Sequence, residues 1–147
     1  MSLVETVIEG GGWPADLPAL AERAAGAALT AAGVAAEGRE IALLAAGDAR
    51  IAALNLAFRG KEGATNVLSW PAAPPEDESL GDIALAWETC AAEAEAAGRP
   101  LADHLAHLIV HGTLHLLGYD HGTEAEATKM ETIEVEALAL IGVANPY

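Results

Sequence analysis

Cations are scarce in this chain: seven lysines and arginines stand against 22 aspartates and glutamates, a formal net charge of -15. So acidic a surface repels a phosphate backbone at long range and argues against a broad basic face for nucleic acid. Cysteine is almost missing. The single thiol, Cys90, allows no internal disulfide and agrees with a reducing compartment. Hydrophobic residues reach 52%, yet no apolar run approaches the roughly 18 residues of a membrane span. The amino terminus lacks the basic and apolar regions of a secretory signal. These absences predict a cytoplasmic protein without a membrane partner. The 147 residues suit one domain, 1–147, with no linker and no internal repeat.

Histidine is rare but concentrated. Three of the five lie in HGTLHLLGYDH, residues 111–121. Four residues make slightly more than one helical turn, so His111 and His115 present both imidazoles to one point. Gly118 follows where a helix ending in a left-handed residue wants glycine, and the reversed chain can swing His121 toward the same ion. Three neutral imidazoles leave a metal its charge and an open position, as in a catalytic zinc site. The spacing is the skeleton of the metzincin zinc-protease motif, with one departure: Gly112 stands where a peptidase carries its general-base glutamate. His104 and His107 precede His111 on the same general face, and spacing alone leaves His107 open as a rival ligand.

The rest of the chain alternates strand and helix signals. Strands are expected at 3–9, 40–46, 65–70 and 80–86. Helices are expected at 16–32, 48–58, 88–97 and 101–117, with a fifth capped by Thr123 and Glu126. In that fifth helix Met130, Ile133, Ala137, Leu138 and Ile141 should turn inward. Asp48 is the expected cap of the second helix, with Ile51, Leu54 and Phe58 on its core face. Arg59 would then sit beside that face and look into a cleft. Pro71, Pro74 and Pro75, with the acids at 76–78, read as a loop. Its flanking strands suggest a hairpin-like pair, so the fold class is α+β, with four strands and five helices. Arg50, Arg59 and Lys61 fall within twelve residues, either a local positive patch or ordinary solvated cations.

Four stretches in order carry a family resemblance: Asn55 with Arg59, TNVLSW at 65–70, LGDIAL at 80–85 and HGTLHLLGYDH. Together they resemble the landmarks of the YbeY-like family, bacterial endoribonucleases of ribosomal RNA maturation, over residues 51–138. The chain departs from that family's usual pattern at Ala64, for proline, at Asn66, for aspartate, and at Trp70, for phenylalanine.

The resemblance implies a mixed sheet flanked by helices, with His121 rather than His107 as third ligand and one Zn2+ per chain. His104 and His107 then become flanking groups. It also implies a single-strand-specific endoribonuclease acting on the 3′ end of small-subunit (16S) ribosomal RNA and in ribosome quality control. Its partners would be single-stranded ribosomal RNA and the pre-ribosomal small subunit, with basic ribosomal proteins as further candidates and no DNA. Arg59 would pair with the phosphate, and Asp82 and Asp120 are candidates for orienting a ligand or water. Two other readings remain open: a metzincin-like peptidase, and a non-catalytic, zinc-stabilised ribosome assembly factor. Three histidines also accept nickel, copper or iron, so spacing does not name the metal.

Overall fold

The computed structural model describes residues 2–72 and 79–147. Nine elements follow one another: β1 (Val4–Ile8), α1 (Leu17–Ala31), β2 (Glu40–Ala46), α2 (Asp48–Arg59), β3 (Val67–Pro71), β4 (Ser79–Ala86), α3 (Trp87–Ala97), α4 (Leu101–Leu116) and α5 (Glu124–Leu140). Their ends lie within two residues of the sequence expectation. The expected loop through Pro74, Pro75 and the acids at 76–78 lies outside the described residues.

The four strands form one mixed sheet in the order β1-β2-β4-β3. β1 pairs with β2 and β2 with β4 in parallel, so α1 and α2 lie within crossovers, whereas β3 runs antiparallel to β4. This bears out an α+β domain of four strands and five helices.

The main core lies between one sheet face and the layer of α1, α4 and α5. Ile41 and Leu43 of β2, with Ile83 and Leu85 of β4, point into it and are at most 2% exposed. α1 meets them with alanine: Ala21, Ala24, Ala25 and Ala28 are wholly buried. Their small side chains let α1 lie close against α4 and α5. Leu105, Ile109 and Leu114 of α4 complete the core, and α4 also crosses β3 and β4. At Gly112 the approach of α4 to β4 is tight, since a Cβ there would stand 3.3 Å from Cδ1 of Ile83. Met130, Ala137 and Leu138 of α5 turn inward as expected, with Ile133 and Ile141 partly buried against them.

The opposite sheet face is only half covered, and two sequence expectations fail there. Asp48 does not cap α2; Gly47 holds that position. Instead Asp48 accepts hydrogen bonds from the backbone N of Thr89 (3.1 Å) and its hydroxyl (2.7 Å), while Glu88 accepts from the backbone N of Asp48 (3.0 Å). The acid of each helix start thus satisfies the free N–H groups of the other. Nor does Phe58 face the core. It is 69% exposed, and α2 buries just Ile51 and Asn55 among the described residues. Phe58 leans edge-on against Trp70 at 5.9 Å, over an apolar trough lined also by Val7, Leu44 and Leu54.

Cys90 is fully buried at the start of α3, where its thiol donates to the carbonyl of Asn66 at 3.5 Å. Burial, helped by Glu93, pushes its pKa up to about 12 against a backbone hydrogen bond at Ala86. A raised folded-state pKa contributes stability below the unfolded value near 9 and loses it as pH rises toward about 12. Cys90 should therefore react with thiol reagents at pH 8 only on unfolding. Between pH 9 and 11, stability should fall more steeply in wild type than in Cys90→Ala, by up to about 1.4 kcal/mol per pH unit. Parallel pH slopes in chemical denaturation would contradict this.

The contact at Gly112 gives a second expectation. Gly112→Glu forces an unpaired carboxylate against Ile83 and should cost about 3 kcal/mol or more. Denaturant unfolding checks it, and a variant of unchanged midpoint would refute the packing role.

Candidate metal centre

The last two turns of α4 and the turn after it bring the three histidines of HGTLHLLGYDH together. α4 is amphipathic over 101–116: leucines, Ile109 and Val110 face the core, and one stripe, His111 with His115, remains half-buried. The helix stops at Gly118, whose φ of 98° suits only glycine with ease. The backbone N of Gly118 bonds to the carbonyl of His115 (3.0 Å) and that of Tyr119 to Leu114 (3.0 Å), closing the helix end. Tyr119 then packs on the core, and Asp120 accepts from the backbone N of His121 at 2.8 Å. That reversal carries His121 back over the helix.

The ring centroids of His111, His115 and His121 lie 4.6, 5.5 and 5.2 Å apart, and each offers a nitrogen within 4.8 Å of the others. Nε2 of His111 and Nε2 of His115 face each other at 3.1 Å. A tetrahedral ion with metal–nitrogen bonds of about 2.05 Å separates its ligands by about 3.3 Å, so the two α4 nitrogens fit one zinc-sized ion. The donor set also fits, since a metal takes neutral imidazole. Burial first, then the neighbouring His111 and His121, lower the pKa of His115 below its ordinary value, against Asp120 and a backbone bond at Tyr119.

His111 is anchored from behind. Its Nδ1 lies 2.6 Å from Oε2 of Glu134 on α5, a residue only 1% exposed. Nε2 of His107 approaches Oε1 of the same carboxylate at 3.1 Å, and the hydroxyl of Tyr147 also donates to it. Burial alone would raise the pKa of Glu134. Hydrogen bonds from His107, His111 and Tyr147 outweigh that and hold it down at about 2. Sequence reasoning missed Glu134, although a signal was there: a carboxylate on the stripe of Met130, Ala137 and Leu138.

The histidines open into a cleft of about 460 Å³ that is lined also by Arg59, Asn66, Ser69 and Asp120. Arg59 stands at the end of α2 and has no carboxylate partner within salt-bridge distance among the described residues. Arg50, by contrast, pairs with Glu9 at 3.1 Å and lines the trough across the sheet, so the cations at 50, 59 and 61 do not assemble into one patch at the histidines. Asp82 is likewise absent from the cleft. It pairs in register with Trp70 and looks into the trough, whereas Ser69 and Ile83 face the other side. Asp120 does reach the cleft, its Oδ1 lying 3.9 Å from Nδ1 of His121.

Four other positions acquire structural roles. His104 points at Glu93 (2.9 Å) and His107 at Glu134, so neither joins the cluster of potential ligands. Asn66 donates to Glu93 (3.1 Å) and accepts from the backbone N of Val67 (2.7 Å). An aspartate at 66 would set two carboxylates face to face, so the amide suits this chain's Glu93. Gly112 lies in the α4–β4 contact and is not among the residues lining the cleft. The place of the peptidase base is thus taken up by packing.

The chain is similar to known proteins in sequence and in fold. The sequence pattern of the family described as Endoribonuclease YbeY matches residues 14–142. Relatives named Endoribonuclease YbeY from Dinoroseobacter shibae and Cereibacter sphaeroides are each 52% identical; the alignments cover 98% and 99% of this chain and 90% and 98% of theirs. The solution structure of TM1509 from Thermotoga maritima shares the fold, with a TM-score of 0.59 and 22% identity over 94% of this chain and 91% of that one. With a family pattern spanning nearly the whole domain and relatives matched at half their residues, this chain belongs to the YbeY family.

Proposed function

We propose that this protein is a zinc-dependent endoribonuclease that cuts single-stranded RNA at the cleft of His111, His115 and His121. The observation that carries the reading is the grouping of three imidazole nitrogens within 4.8 Å of one another in a cleft that also holds an arginine with no carboxylate partner among the described residues. The name shared by relatives at half identity supports the reaction class.

Zinc held by the three imidazoles would supply Lewis acidity at a phosphate oxygen and acidify bound water to a pKa of about 7. Arg59 pairs with the phosphate through its planar fork of donors and stabilises charge that grows in the transition state. Asp120, beside His121 at the rim, orients the attacking group and can take its proton; Asp82 has no part, being across the sheet. Local charge then offsets the acidic surface. Arg59 would meet the scissile phosphate beside an ion held by the three histidines, while the remaining contacts would be to an unpaired strand that can bend away from the acidic surround. A glutamate base is not needed, which separates this site from a peptidase of the same ligand spacing.

Zinc-loaded protein should hold about one ion per chain and cleave single-stranded RNA. His111→Ala and His115→Ala should lose both metal and cleavage, Arg59→Ala should retain metal and slow cleavage about 10²–10³-fold, and Asp82→Asn should cleave normally. Metal analysis and single-turnover cleavage measure these outcomes. Equal cleavage by wild type and His115→Ala would sink the reading, as would full zinc content in His111→Ala.

We further propose, as the resemblance to this family suggests, that the cellular substrate is the 3′ end of small-subunit (16S) ribosomal RNA in the cytoplasmic pre-ribosome, with a further part in ribosome quality control. Cells lacking the protein should accumulate that RNA with an unprocessed 3′ end, visible by end mapping. Wild type should restore the mature end and His115→Ala should not. Rescue by a folded His115→Ala would favour a non-catalytic assembly factor instead.

A further inference from the structure

Glu134 is out of place in its helix. Met130, Ala137 and Leu138, its neighbours on the buried stripe of α5, are apolar, and Glu134 itself is 1% exposed. A buried carboxylate is costly unless its oxygens are satisfied. Here both are engaged: Oε2 by Nδ1 of His111 at 2.6 Å, and Oε1 by Nε2 of His107 at 3.1 Å and by the hydroxyl of Tyr147. An ionised carboxylate only accepts, so Nδ1 of His111 must carry a proton. A neutral imidazole carries one proton, which leaves the lone pair on Nε2. That nitrogen is the one that faces His115 across 3.1 Å.

We propose that Glu134 is a positioning residue of the metal centre: by accepting the Nδ1 proton of His111, it fixes that ring's tautomer and plane with Nε2 toward the ion. His107 and Tyr147 support it from the other oxygen, so that Oε2 stays with His111. The role rests on the reading of the three histidines as metal ligands. A bare structural alternative is a buried polar contact that only ties α4 to α5. The two differ in what Glu134→Gln does: glutamine keeps size and shape, but presents one acceptor oxygen to three donors.

The test uses the full chain, with zinc and cobalt(II) alone as probes against a competing chelator. Glu134→Gln should bind zinc about 10–100-fold more weakly than wild type, and its cobalt complex should show an altered visible absorption band. Zinc affinity within about threefold of wild type, with the same cobalt band, would overturn the role. Nitrogen NMR of the histidine rings in metal-free wild type needs no variant. It should find His111 protonated at Nδ1, and protonation mainly at Nε2 would overturn the role even if Glu134→Gln failed to fold. Failure of wild type itself to take up either metal would instead refute the metal reading, an outcome distinct from wild type and variant binding alike.

Discussion

The three-histidine cluster depends on one constraint, that α4 is buried on every side but one. α1, α3 and α5 pack around it and the sheet lies beneath. Leu105, Ile109 and Leu114 leave it no freedom to turn, so His111 and His115 can emerge only along the remaining stripe. Close packing makes the stripe rigid, and a rigid stripe is what a metal site needs, because ligand nitrogens must be held within fractions of an ångström. The absence of a side chain at Gly112 belongs to the same constraint. It lets α4 settle against Ile83, which sets the depth of the histidines beneath the cleft.

From that helix the other parts of the site are reached by short routes. The turn at Gly118 returns His121, and α5 lies alongside α4 to bring Glu134 behind His111. Arg59 arrives from elsewhere, at the end of α2, and shares the cleft with β3 residues. Function is thus assembled from elements of different stiffness. Two of the imidazoles stand on a packed helix, whereas the arginine stands at a helix terminus.

The acidity of the chain takes on a different meaning once its charges are located. A net charge of -15 describes the whole surface. Electrostatics in the histidine cleft is instead decided within a few ångströms, where Arg59 has no carboxylate partner among the described residues and an ion would add two charges. Arg50 shows why proximity in sequence is a poor guide to such a patch: on the next turns of the same helix, it is spent on Glu9 across the sheet.

Much was legible before any coordinates. Periodicity and turn residues located all nine elements, because apolar spacing of two or 3.6 residues is local information. The histidine cluster was legible for the same reason: its ligands lie within eleven residues and one helix end. Facing was not. In β4 both sides of the strand are apolar, so alternation cannot say whether Asp82 or Ile83 looks toward the histidines. Phe58 was misread because helical spacing reveals a stripe, but not whether anything lies over it. Asp48 satisfies the start of a helix 41 residues away, a contact that no local capping rule contains.

The sequence by itself determined the elements and, from their order, the fold class; spacing along one helix paired His111 with His115, and the turn at Gly118 with the family resemblance singled out His121. Only the tertiary structure decided which sheet face each strand residue takes, that Arg59 and not Arg50 or Asp82 shares the histidine cleft, and that Glu134 stands behind His111. Those facts depend on how separate elements pack, and packing is settled by the whole core at once rather than by any one segment.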